Sequence, residues 1–237
     1  MNPFAGLPRH HFAAIYADPP WPFRTWSLKG QGRSGEAHYS TLSHADLEAL
    51  PAGELAADDA VLFMWIVQTQ IPQAVNLFRA WGFELKSVAF AWFKGDGQQF
   101  FPDDPPLQIG MGKWTRAEFE QCWLGTRGNP RRLHADVRQV LVQKRREHSR
   151  KPDGIHERIE RLVAGPYLEL FARQSRPGWT TWAVSGPNSI GARHDPAAIT
   201  DSACVSAFRF PIDGYALHGE RQPLSRWAHR RAVHRQP

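Results

Sequence analysis

The chain has 237 residues, 42% hydrophobic and 12% aromatic, enough to bury one substantial core and too apolar for a disordered chain. It has no run near the roughly 20 uncharged apolar residues of a membrane span and no apolar secretory leader, and Cys122 and Cys204 have no partner at metal-ligand spacing. That argues against a membrane protein, a disulfide-stapled secreted protein and a metal module, and a cytoplasmic location is expected, with the nucleoid as the place of action if the partner is DNA.

In chain order, residues 12–17 predict a short buried strand that runs into Asp18-Pro19-Pro20-Trp21, where the prolines stop it. Residues 22–43 lack apolar periodicity and predict a long loop over a site. The continuous apolar run 60–67 has the pattern of a strand covered on both faces. Ile71, Val75 and Phe78 recur at helical spacing up to a stop at Gly82, and 85–93 returns to strand character. A second loop over 94–112, a short helix over 114–120, and strands over 121–125 and 137–142 follow, the last two separated by a basic turn over 127–132. Pro152, Ile155, Ile159 and Leu162 predict an amphipathic helix, 167–172 and 179–184 two more strands, and the chain beyond 186 reads as irregular. Alternation of this kind predicts an α/β fold, with one catalytic domain over 1–192 and a basic tail over 193–237.

The charge is uneven. The formal net charge is +6, with −4 over residues 1–112, +7 over 113–176 and +3 over 177–237. A localised basic excess suits the phosphates of a nucleic acid, whose neutralisation releases counterions. Arg127, Arg131, Arg132, Lys144, Arg145 and Arg146 are the candidates for backbone contacts.

A strand that ends in Asp-Pro-Pro-Trp places a carboxylate and several carbonyls at the carboxyl edge of a sheet, and the prolines remove donors while leaving acceptors. Such a loop suits a substrate amine with two N–H donors. An adenine amine is a poor nucleophile because its lone pair is delocalised, and acceptors on its hydrogens favour the pyramidal, reactive form. Asp18 and the Pro19 carbonyl are the natural acceptors, Pro20 completes the turn, and Trp21 is expected to offer a face for stacking on an extruded base.

Asp18 to Trp21 resembles the signature of the MT-A70 type adenine-N6 methyltransferases. The likeness continues through His38-Tyr39-Ser-Thr-Leu-Ser43, residues 60–65, Trp81-Gly82-Phe83, residues 120–130, His148-Ser-Arg-Lys151-Pro-Asp153 and Glu169-Leu-Phe-Ala-Arg173, in the family's order, and covers about residues 12–185. The resemblance implies a Rossmann-like class I methyltransferase fold with permuted motif order, which accounts for the lack of a G-x-G-x-x-G after an early strand. It implies S-adenosylmethionine as cofactor, with Lys151 at its methionine carboxylate, His148 and Ser149 beside it, Asp18 within reach, and Arg173 near the ribose. Tyr39 is implied at the substrate base. The chain departs from the family at Trp182-Ala183-Val184-Ser185, where relatives carry Gly-Asn and then Gln or Glu, so Ser185 and Asn188 are the remaining ribose candidates.

The expected activity is methyl transfer to the N6 amino group of adenine in DNA, without metal or covalent intermediate. The chain is expected to act alone or as a homo- or hetero-oligomer, away from membranes. RNA adenosine as substrate, a catalytically inactive nucleic-acid-binding homologue, and a methyltransferase for a small amine or a protein glutamine remain as alternatives.

Overall fold

The computed structural model describes residues 2–22, 41–95, 114–115, 117–144, 150–185 and 189–191. The apolar run around 60–67 becomes β2 (Ala56–Ile66), and its side chains divide by the pleat. Ala60, Leu62, Met64 and Ile66 join one core, and Val61, Phe63 and Trp65 another. Strand β1 (Phe12–Ala17) does the same, with Phe12, Ile15 and Ala17 on the first side and Ala14 and Tyr16 on the second. Strands that feed two cores need a layer on each face, and this makes their sequences continuously apolar.

The first core is closed by Phe4, by Leu47 of α1 (His44–Ala49) and by Ala74, Leu77 and Phe78 of α2 (Ile71–Ala80). The second is closed by Ile155 and Ile159 of α3 (Gly154–Leu162). The buried indoles are anchored at their polar ends: Trp81 donates to the Leu47 carbonyl at 3.0 Å and Trp182 to that of Pro3 at 3.0 Å. A large apolar ring whose single donor is satisfied stabilises a core without the penalty of an orphaned N–H.

With β3 (Glu84–Phe93), β4 (Phe119–Arg127), β5 (Val140–Val142), β6 (Tyr167–Leu170), β7 (Trp179–Ser185) and β8 (Ser189–Gly191), the strands form one sheet in the order β5-β3-β4-β2-β1-β6-β7-β8. β1 is parallel to both neighbours, Ala17 lying opposite Met64 of β2 and Leu170 of β6. From β1 the chain builds outward on one side through β2 to β5, then α3 leads back to β6 on the other side of β1. The strand order therefore reverses between β1 and β6, and the crevice beyond their carboxyl ends is where open α/β sheets bind ligands.

Several expectations are corrected. The short helix over 114–120 does not form, because Phe119 and Glu120 open β4, opposite Phe93 and Trp92 of β3, with the Phe93 and Phe119 rings stacked at 5.2 Å. Helix α1, which the sequence reading did not single out, starts at a reciprocal cap: the Ser43 hydroxyl accepts from the Asp46 amide at 3.1 Å and the Asp46 carboxylate accepts from the Ser43 amide at 3.3 Å. The strand expected over 167–172 ends at Leu170, since Phe171 turns to φ 63°. Residues 189–191, expected to be irregular, pair antiparallel with 183–185. The tail from 193 lies outside the described residues.

Candidate active site

Asp18 is the first residue after β1, at the point where the strand order reverses. The turn that follows is pinned on several sides. The Trp21 amide donates to the Pro19 carbonyl at 2.8 Å, and the Leu42 amide to that of Pro20 at 3.0 Å. The Gln70 side-chain amide donates to the Pro22 carbonyl, and its oxygen lies 2.6 Å from His44 Nε2. The Pro20 oxygen thus closes the loop, whereas the Pro19 oxygen, bonded among the described residues only within its own tight turn, keeps a lone pair for a ligand.

The stacking face expected of Trp21 is not presented. Its ring is 6% exposed, sits in the first core, and donates its indole N–H to the Trp65 carbonyl at 3.1 Å. A large apolar ring next to a well-formed core gains more by burial than by waiting for a base, so Trp21 aims the Asp18 turn from beneath.

Four charges of alternating sign line the carboxyl edge. Lys94 Nζ, just after β3, lies 2.6 Å from Glu120 Oε1; Glu120 Oε2 lies 3.2 Å from Lys151 Nζ; and Lys151 Nζ lies 3.0 Å from Asp18 Oδ1. Glu120 reaches this edge because β4 is antiparallel, so its first residues stand beside the last residues of β2 and β3. Lys151 also stands over the Trp65 ring at 5.3 Å. Burial alone would raise the Glu120 carboxyl, but Lys151 and Lys94 overcome it and hold the group at about 2. Burial would lower the Lys151 ammonium, and Asp18 and Glu120 together raise it above the ordinary lysine range. At Asp18 burial prevails over the Lys151 attraction and the carboxyl is raised. Burial pushes the Cys122 thiol well up, which keeps it protonated and unreactive.

Beside Asp18 opens a cavity of 540 Å³ lined by Tyr16, Lys151, His156, Glu169, Phe171 and Arg173 among others, within the roughly 300–1,000 Å³ range of small-molecule sites. Phe171 holds φ 63°, an uncommon backbone state for a non-glycine residue, where β6 gives way to the cavity wall. The lining combines the cations Lys151 and Arg173 with the acceptors Asp18 and Glu169, a donor set that fits a ligand carrying a carboxylate, an ammonium and hydroxyls. A ligand carboxylate at Lys151 has to share it with Asp18 and Glu120.

The structure thus brings together Asp18, Pro19, Pro20, Lys151 and Arg173. It separates Arg127, Arg131 and Arg132 from them. Arg127 is the last residue of β4, opposite Ala60 near the start of β2, and its guanidinium donates to the Gly53 carbonyl at 2.6 Å, so it ties elements together at the far end of the sheet. Arg131 and Arg132 follow there, before Leu133 bonds to Leu162 at the last turn of α3. Lys144 is exposed just after β5, at the edge that carries Asp18 but on the outermost strand. Ser185 closes β7, opposite Ser189 of β8. Tyr39, Arg145, Arg146, His148, Ser149 and Asn188 lie outside the described residues.

Sequence reasoning missed Lys94, Glu120, His156 and Glu169. Three of them carried an available signal: Lys94 and Glu120 are charges directly after one predicted strand and directly before another, and Glu169 is a carboxylate within a buried one.

Residues 12–185 match the family model described as MT-A70. A Type II methyltransferase of a Mycoplasma species, M.MunI, is 31% identical over 205 residues, covering 78% of this chain and 82% of that protein. The N(6)-adenosine-methyltransferase MT-A70-like protein of Drosophila melanogaster is 29% identical, covering 87% of this chain, and the human N(6)-adenosine-methyltransferase catalytic subunit METTL3 is 29% identical, covering 84%. The chain spans only 31% of the length of either of these two.

Proposed function

The chain belongs to the MT-A70 family, and from that premise we propose that it transfers a methyl group from S-adenosylmethionine to the N6 amino group of adenine in DNA. The observation that carries the reading is the place of Asp18: a half-buried acceptor directly after the central strand, at the reversal of strand order, on the rim of a cavity with charges of both signs. Support for DNA comes from the Mycoplasma Type II methyltransferase, which is matched over most of both lengths, whereas the N(6)-adenosine-methyltransferases extend far beyond the shared region.

When bound, S-adenosylmethionine supplies an electrophilic methyl on a sulfonium. The residues of this chain then have two tasks. Lys151 and Arg173 offer cations, and Glu169 an acceptor, to hold the cofactor in the cavity. Asp18 and the Pro19 carbonyl accept the two amine hydrogens of adenine, which localises the nitrogen lone pair and points it into the cavity. As the amine nitrogen takes the methyl carbon, the carbon–sulfur bond would break and leave the neutral thioether S-adenosylhomocysteine, and the amine would release one proton, for which the raised Asp18 carboxylate is an acceptor at hand. Rate then comes from alignment and from acceptors fixed before reaction, without a covalent enzyme intermediate.

The test is transfer of radiolabelled methyl from S-adenosylmethionine to duplex DNA, single-stranded DNA and RNA, each with and without adenine, with Asp18→Ala as control. Adenine-dependent labelling of DNA that the substitution abolishes is the expected result. Labelling of RNA alone would move the activity to RNA adenosine, and no labelling of any polymer by folded protein would overturn the reading.

A further inference from the structure

Glu169 lies within β6 between buried Leu168 and Leu170, and its side chain faces the α3 side of the sheet, at the cavity. Its Oε2 is 2.8 Å from Nε2 of His156, on the first turns of α3. The other ring nitrogen, Nδ1, is buried and has no hydrogen-bond partner among the described residues. The imidazole is walled edge-on by Tyr16, centroids 5.1 Å apart, and by Trp179 at 4.8 Å.

These contacts select one state of the ring. A carboxylate oxygen accepts, so Nε2 carries the hydrogen; a second hydrogen on Nδ1 would put a charged N–H against aromatic walls with no acceptor. The neutral Nε2–H form meets both conditions. In that form His156 restrains one carboxylate oxygen of Glu169 and leaves the other, which accepts no hydrogen bond from the described residues, to the cavity.

We infer that His156, as the neutral Nε2–H tautomer, is a positioning residue that holds Glu169 to accept an N–H or O–H hydrogen of the cofactor. The inference rests on the reading of the cavity as the S-adenosylmethionine site. The ligand donor is either the ammonium of the amino-acid part or a ribose hydroxyl, and both are hydrogen donors to a carboxylate.

Calorimetric binding of S-adenosylhomocysteine to the full chain, with no nucleic acid present, tests it without an activity readout. His156→Phe keeps a ring against Tyr16 and Trp179 but has no N–H, and affinity is expected to fall about tenfold, while His156→Gln, which returns a donor near the Nε2 position, restores most of it. Methylthioadenosine, which lacks the amino-acid part, separates the two donors: a matching loss for this probe assigns Glu169 to the ribose, and a loss confined to S-adenosylhomocysteine assigns it to the ammonium. Nitrogen-15 spectra of the unaltered chain should show protonation on Nε2 alone. Equal affinity in His156→Phe and the unaltered chain, with both folded by circular dichroism, or an Nδ1-protonated ring, would overturn this inference and leave the cavity reading standing. If the unaltered chain binds neither probe, the cavity reading fails and this inference with it.

Discussion

At Asp18 two tendencies oppose each other: burial raises the carboxyl, Lys151 at 3.0 Å draws it down, and burial prevails. The acceptor form is therefore lost on acidification at a pH above the 3.8 of an ordinary aspartate, and the acid limb of the kcat profile should lie above that value. Asp18→Asn, which keeps the shape but loses the charge, should lower kcat by about 100-fold or more at neutral pH and remove that limb. Glu120 behaves in the opposite sense. Its folded value of about 2 lies below the ordinary 4.5, so the stability it contributes is present above 4.5 and is lost as pH falls toward 2. The shift corresponds to about 3 kcal/mol at neutral pH, an upper figure because the carboxylate retains some contact with water. Glu120→Gln should lower the melting temperature at pH 7 and flatten its dependence between those two values, since the substitution removes the titrating group.

Among the elements, the antiparallel placement of β4 has the largest consequence. It carries Glu120 to the Asp18 edge at one end and Arg127 to the opposite edge at the other, so two charges of one strand acquire unrelated partners. Arg127 reaches the Gly53 carbonyl at 2.6 Å, and Gly128 beside it turns at φ 63° where a Cβ would meet Asp59 and the Asp58 backbone. Removing a charged donor from a partly buried carbonyl costs about 1–3 kcal/mol. Arg127→Ala should therefore lower the unfolding free energy by that amount and move the urea midpoint downward, with nucleic-acid affinity unchanged once the protein is folded. A drop in affinity at constant stability would return Arg127 to the phosphate-binding set.

On the scale of the molecule, the basic excess over 113–176 is divided by the fold. Arg131 and Arg132 lie between the end of β4 and the last turn of α3, at the edge opposite Asp18, and Lys144 stands on the Asp18 edge beyond β5. A duplex presented to Asp18 is expected to meet Lys144. Lys144→Ala should then weaken DNA binding evenly across sequences and reduce the slope of log affinity against log salt by about 0.9, the contribution of one phosphate contact. Arg131→Ala, measured in parallel, should leave the slope as it was.

The layered architecture was legible in the chain because burial on two faces demands uninterrupted apolar strands, which residues 60–67 display without any reference to their neighbours. The place of Asp18 at the end of β1 was legible for a similar reason: proline has no N–H to give a strand ladder, so the strand stops there and leaves the carboxylate at its carboxyl edge. Trp21 shows where such local reasoning stops. Its ring has both a stacking face and a large apolar area, and only the core beneath it decides between them. The sheet edge was not legible at all. Lys94, Glu120 and Lys151 are separated by loops in sequence, and their union with Asp18 depends on strand order and on one reversed strand, because electrostatic coupling acts through distance in space and takes no account of distance along the chain.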